Sequence, residues 1–203
     1  MKKGRLIILE WPDGCWKDTQ ADILVAEYGF HKTRLPLYEN TTWKLVKEMI
    51  KTRKRYISEE VFQATMAANY IETLQRVIMP KINAGKDVVM TRFLPSMLAY
   101  GSAFQIEKDI MERLDEMVYD FYTSNVGAFT QIYLEIPLEV SMGRIEKRDK
   151  ETSQKKEDIF ENMKVLKKVI ESYGEYAMFD KTIDGQKPIH EISREISNYL
   201  KIN

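Results

Sequence analysis

Apolar positions along the chain take two alternating textures. Five short runs read as strands: "RLIILE" (5–10), "FHKTRLP" (30–36), "DVVMTRF" (87–93), "TQIYLEIP" (130–137) and "MFDKTID" (178–184). The near-continuous 5–10 and 87–93 read as buried on both faces, and Pro36 and Pro137 close the second and fourth. Between them the spacing turns helical. Ile23, Leu24 and Glu27 predict a helix from Lys17 to about Tyr28, with Gly29 as its stop. Residues 41–52 predict an amphipathic helix with Leu45, Val46 and Met49 on its apolar face. Residues 58–85 predict a long helix capped by Ser58, supported by Glu60, kinked at Pro80 and followed by Gly85. Three more helices are predicted at 139–148, 159–177 and 188–200, the last opening on Pro188. The polar run "DKETSQKKED" (149–158) predicts a mobile loop and a candidate lid. Strands alternating with helices predict an α/β fold, a parallel sheet of five strands covered on both faces. Neither a repeat nor a linker divides it, so a single domain over 1–203 is expected.

Composition narrows the function classes. With 203 residues, 44% hydrophobic and 31% charged, the chain can bury a core and is not disordered. Lys plus Arg and Asp plus Glu are 31 each, so no global field draws it to nucleic acid or to an anionic membrane. Its apolar runs are too short for a membrane span, and the basic start lacks the features of a signal peptide. Cys15 is the single cysteine, which rules out an internal disulfide and fits a reducing, cytoplasmic location. It reads as a small turn residue rather than a nucleophile. His31 and His190 are isolated, and no metal site is expected from them.

One stretch carries candidate chemistry. "EWPDGCWKDTQ" (10–20) lies between a predicted strand and a predicted helix, the setting of a phosphate-binding loop. The pattern G-x-x-x-x-G-K-[ST] reads W-P-D-G-C-W-K-D over 11–18, and only Lys17 matches. Taken alone, this match is too weak to identify a phosphate loop.

The whole chain resembles the thymidylate kinase family, which phosphorylates dTMP with ATP. "GRLIILEWPDGCWKDTQADIL" is similar to that family's "LEGxDGxGKSTQ" opening through Glu10, Asp13, Gly14, Lys17, Thr19 and Gln20. "TRLPLYENTTWKL" resembles its "RFP…GKL" segment, and "MAANYIE" its "FxANR". "VVMTRFLPSMLAY" resembles "VVxDRYxxSxxAY" through Arg92, Phe93, Ser96, Ala99 and Tyr100, and "YLEIPLEVSMGRIEKR" resembles the approach to the lid. The resemblance implies a P-loop kinase three-layer sandwich, ATP with Mg²⁺ as cofactors and a homodimer through the 58–85 helix. It implies that Lys17 and Arg92 act on the phosphates. Gly14, Lys17, Thr19, Arg144 and Arg148, with Lys155 and Lys156, are implied on the ATP side. Asp13, Arg34, Tyr100, Met66 and Tyr70 are implied around dTMP.

Departures from the family pattern concentrate in the site. Trp11 and Trp16 stand for the two framing glycines, Trp43 for a third, Asp18 for the Mg²⁺-holding hydroxyl and Thr91 for the Asp before Arg92. Tyr70 replaces an Arg and Met66 a base-stacking Phe. Glycines let backbone N–H groups approach a phosphate, and an acidic residue at the helix N-terminus competes with it. Phosphoryl transfer rests on positioning and charge stabilisation. These substitutions therefore predict kinase activity that is absent or severely impaired. Two alternatives stand beside this: an active thymidylate or nucleoside-monophosphate kinase, and a pseudokinase that binds through an exposed Trp11–Trp16–Trp43 patch. The "TRF…SMLAY" and "RLP" matches argue against an unrelated P-loop NTPase or a different nucleoside-monophosphate kinase.

Overall fold

The computed structural model describes residues 2–11, 17–52, 58–103, 105–152, 163–176 and 179–202. Strands β1 (Leu6–Glu10), β2 (His31–Arg34), β3 (Val88–Thr91), β4 (Thr130–Glu135) and β5 (Lys181–Asp184) form one sheet in the order β2-β3-β1-β4-β5. All four pairings are parallel, and Arg34, Thr91, Leu9 and Ile132 fall in one row across it.

The central strand explains its own sequence. Both faces of β1 are covered, every residue from Leu6 to Glu10 is at most 2% exposed, and so no polar alternation survives. Alternation instead sorts the side chains between two apolar layers. Ile7, Leu9, Ile132, Leu134 and Ile183 join Leu24 of α1 (Lys17–Tyr28) and Ile192 and Ile196 of α9 (Ile189–Leu200). Leu6, Ile8, Val88 and Met90 join residues of α3 (Glu59–Thr73), α5 (Leu94–Ala103) and α6 (Lys108–Val126). Helix–sheet–helix layering results.

Several boundaries differ from the expectations for physical reasons. β2 stops at Arg34 rather than running over 30–36: Phe30 closes the end of α1 by donating to Leu24 O at 3.3 Å, and the chain bends before Pro36. Gly29, at φ +69°, makes that turn. In α2 (Thr41–Thr52), Val46 is fully buried but Leu45 is 59% exposed, so the expected apolar face is corrected to one centred on Val46. The long 58–85 helix divides. Ser58 caps α3 as expected, its hydroxyl accepting from Val61 N. Leu74–Ile78 then forms a π turn, in which the Met79 N–H reaches back five residues to Leu74 O, before α4 (Met79–Asn83). Pro80 has no N–H to give to Arg76, and the widened turn lies just ahead of it. Helix α7 (Leu138–Thr152) extends through the first four residues of the expected 149–158 loop; the rest of that loop, with Lys155 and Lys156, lies outside the described residues. Helix α8 is described over Met163–Tyr176. Helices α5 and α6 fill a stretch for which no element was expected. Among the described residues, no helix is long and apolar enough to cross a membrane.

Candidate functional site

In open α/β sheets the ligand crevice lies beyond the carboxyl ends of the strands, where chain order reverses. Here that place is the end of β1, flanked by β3 on one side and β4 on the other. Glu10 ends β1 and Trp11 follows it, Thr91 ends β3 and Arg92 follows it, and Arg34 ends β2.

The donor side opens on α1. Lys17 is its first residue; its side chain and that of Arg148 lie outside the described residues, as do Asp13, Gly14, Cys15 and Trp16 altogether. Thr19 is half-buried, and Gln20 ties α1 to α9 through Nε2–H to Ile189 O at 2.9 Å. Asp18 points outward. Its side chain is 53% exposed, and its carboxylate lies 3.6 Å from Lys32 Nζ, which also binds Asp22 at 2.8 Å. A hydroxyl at this position would serve Mg²⁺; a carboxylate turned toward Lys32 does not fit that role, and Thr91, 2% exposed, supplies no carboxylate on the facing strand. Among the described residues, Asp18 and Thr91 therefore do not match a Mg²⁺ site of that kind. Arg144 is half-buried and both its terminal nitrogens donate to Gly185 O at 3.1 Å, tying α7 to the turn after β5.

On the acceptor side, Arg92 is half-buried at φ +69°, a conformation costing a non-glycine residue roughly 1–2 kcal/mol. Its guanidinium lies beside Tyr100, 3.4 Å from the hydroxyl and 5.5 Å from the ring centre. Arg34 stacks on Tyr38 at 4.2 Å and donates to its hydroxyl at 2.9 Å; Tyr38 in turn stacks on Trp43 at 4.3 Å. Below these, Asn69 clasps Leu37 and bonds Thr42, and Glu72 receives the N–H groups of Thr41 and Thr42 at the start of α2. The loop that carries Tyr38 is thereby fixed to α3.

Two expectations change. Trp11 is fully buried, in the same cluster as Ala21 and Leu24, so it forms no exposed patch with Trp43, whose ring is occupied by Tyr38. Trp11 continues the odd-numbered face of Ile7 and Leu9, a period-two signal present in the sequence. Tyr70 is 2% exposed and stacked near Phe93, its carbonyl accepting from Tyr122 Oη at 2.9 Å; it is a core residue. Met66 is half-buried against the same cluster.

Two features had no separate notice in the sequence. One is the buried Glu10 carboxylate, which gathers Phe93, Ser96 and Tyr173 around it. Burial pushes its pKa above the usual carboxylate value, opposed first by the Ser96 hydroxyl and then by Arg92. A strand ending in an acid was the available signal. The other is a cavity of about 550 Å³ beyond β4 and β5, walled by Tyr133, Tyr173 and Phe179 and edged by Glu135, Asp184 and Gln186.

Comparison with known proteins agrees with this architecture. The family model described as thymidylate kinase matches residues 9–196. The thymidylate kinase of Clostridium novyi (strain NT) is 27% identical over 212 residues, covering 99% of this chain and all of that protein. The probable thymidylate kinase of Archaeoglobus fulgidus is 27% identical, over 97% of this chain and 94% of its own length. The solved thymidylate kinase from Candida albicans superposes with a TM-score of 0.72 at 20% identity, over 98% of this chain and 92% of that one, which shows the shared fold. With the family model spanning nearly its whole length, the chain belongs to the thymidylate kinase family.

Proposed function

We propose that this chain binds dTMP in the crevice beyond β3, with its phosphate on Arg92 and Arg34 and its nucleoside against Tyr100, and that transfer of a phosphoryl group to it from ATP is absent or severely impaired. The observation that carries this reading is the contrast between the two sides of the crevice. On the acceptor side, two cations at the ends of β2 and β3 are braced by Tyr38 and Tyr100. On the donor side, the Asp18 carboxylate replaces a hydroxyl and faces Lys32. A negative charge in the first turn of α1 suits an empty helix N-terminus and opposes phosphate there. Lys17, Gly14, Thr19, Arg144 and Arg148 are the residues proposed to meet ATP where it binds, and Asp13 the sugar hydroxyl of dTMP.

A coupled ADP-release assay with dTMP, ATP and Mg²⁺ tests the reading. Turnover on the ordinary kinase scale of roughly 1–100 s⁻¹ sinks the impaired-site half of it and leaves an active thymidylate kinase, which the family membership favours.

The chain is read as one domain in a cytoplasmic, reducing setting, consistent with its single cysteine. It is also read as a homodimer. Met117 and Phe121, one turn apart on α6, are exposed apolar side chains suited to a second copy, and Val61 of α3 is 50% exposed. Sedimentation equilibrium separates monomer from dimer.

A further inference from the structure

The ends of β1 and β3 are joined through one carboxylate. Glu10 is fully buried. One oxygen accepts the Phe93 N–H and, at 3.4 Å, the Ser96 N–H. The other accepts the Ser96 hydroxyl at 2.8 Å and the Tyr173 hydroxyl at 3.0 Å. Two N–H groups and two hydroxyls thus surround this one buried carboxylate. The Ser96 and Tyr173 hydroxyls also hydrogen-bond each other at 2.7 Å, either oxygen being able to donate, and Tyr173 Oη lies 3.3 Å from Trp11 O. Since Phe93 and Ser96 flank the start of α5, Glu10 serves in addition as that helix's N-terminal acceptor.

Arg92 sits inside this arrangement. Its own N–H donates to Leu9 O at 3.0 Å, and the next N–H along, that of Phe93, goes to Glu10. Strand β1 therefore holds the backbone on both sides of the residue whose φ is +69°. A left-handed arginine persists only where its surroundings over-determine it. Tyr173 brings the third element: it stands on α8, so the acceptor cation is tied to β1, α5 and α8 together.

We propose that Glu10, held by Ser96 and Tyr173, is the positioning residue for Arg92: it fixes the backbone twist that aims the guanidinium at the phosphate of a nucleoside monophosphate. This deepens the reading that Arg92 receives the acceptor phosphate and rests on it.

The test compares dTMP with thymidine by calorimetry for the wild type, R92A, E10Q and Y173F, and follows the Arg92 Nε–H resonance in the unliganded proteins. The wild type should prefer dTMP by roughly tenfold or more, the scale of a charge-assisted contact, and R92A should lose that preference. E10Q and Y173F should each cut the preference by about threefold or more while binding thymidine as the wild type does, and should broaden or shift the Arg92 resonance. A loss of thymidine and dTMP binding in equal measure marks a merely structural role and overturns the proposal. So does an unchanged preference in both variants while R92A loses it, which leaves Arg92 as the phosphate ligand. A wild type without preference, or R92A that keeps it, overturns the Arg92 reading and this proposal together. Should E10Q fail to fold, Y173F, which removes one hydroxyl, decides the matter alone.

Discussion

Asn69 and Leu37 hold each other in both directions. The Leu37 N–H donates to Asn69 Oδ1 at 2.9 Å, and Asn69 Nδ2–H donates back to Leu37 O at 3.2 Å. Asn69 is fully buried and also donates to Thr42 Oγ1 at 2.9 Å. Asn69→Ala strands both backbone groups of Leu37 and should cost about 2–3 kcal/mol, lowering Tm by roughly 4–10 °C. Since this clasp seats the loop bearing Tyr38, dTMP affinity should fall with it. Calorimetric unfolding together with dTMP titration checks both; an unmoved Tm removes the clasp from the account.

Glu72 makes stability depend on acid. Burial works to raise its pKa, but the N–H and hydroxyl of Thr42, the N–H of Thr41 and the Arg76 guanidinium outweigh it and hold the carboxyl at about 2, below its ordinary 4.5. A folded-state pKa below the unfolded one gives stability that is fully present above the unfolded value and is lost as pH falls toward the folded one. The stability gap between wild type and Glu72→Gln should therefore be widest near neutrality and should narrow between about pH 5 and 2. Urea unfolding at pH 7 and pH 3 measures it, and a gap that does not narrow contradicts the assignment.

Trp11 has become structural. Restoring the family's glycine there removes a fully buried indole and should cost about 3–5 kcal/mol, whatever it does for phosphate binding. Chemical denaturation of Trp11→Gly reports this directly. Stability within 1 kcal/mol of wild type, about the size of an ordinary point substitution, would mean the indole does not lie in the core.

Asp18 is the more informative reversion. Its side chain is half in water and its partner Lys32 retains Asp22, so Asp18→Ser should change stability by less than about 0.5 kcal/mol. It should at the same time enlarge the Tm increase that ATP and Mg²⁺ produce. Equal ligand-induced increases in the two proteins would show that the carboxylate does not oppose the phosphates.

The sequence expressed some of this fold and withheld the rest for identifiable reasons. Strand β1 and helix α1 were legible because a covered strand must be apolar throughout and Gly29 must end its helix. Ser58 announced α3 by its capping hydroxyl. Helix α5 was not legible: six successive residues from Leu94 to Ala99 are buried all round, so no stripe forms. In α6 the stripe of Met111, Val118 and Tyr122 exists, but Met117, Tyr119 and Phe121 are exposed on other faces and blur it. Within the site, the family motifs located Arg92, Tyr100 and Ser96 along the chain. Tyr173 could not be found that way, since a lone hydroxyl on an amphipathic helix looks like any other.

The π turn at Leu74–Ile78 acts as a phase corrector. Leu74, Ile78 and Ile82 are each at most 1% exposed, four residues apart. In a regular helix a four-residue step overshoots a full turn by roughly 40°, so three such positions would spiral off the face they share. A turn closed five residues back is wider and cancels part of that drift. The line of side chains then stays on the core until Ile82, whose carbonyl receives the Gly4 N–H at 2.9 Å where the chain enters β1. Deleting one residue from the turn would rotate that carbonyl away, so the irregularity in the helix keeps time with the first strand of the sheet.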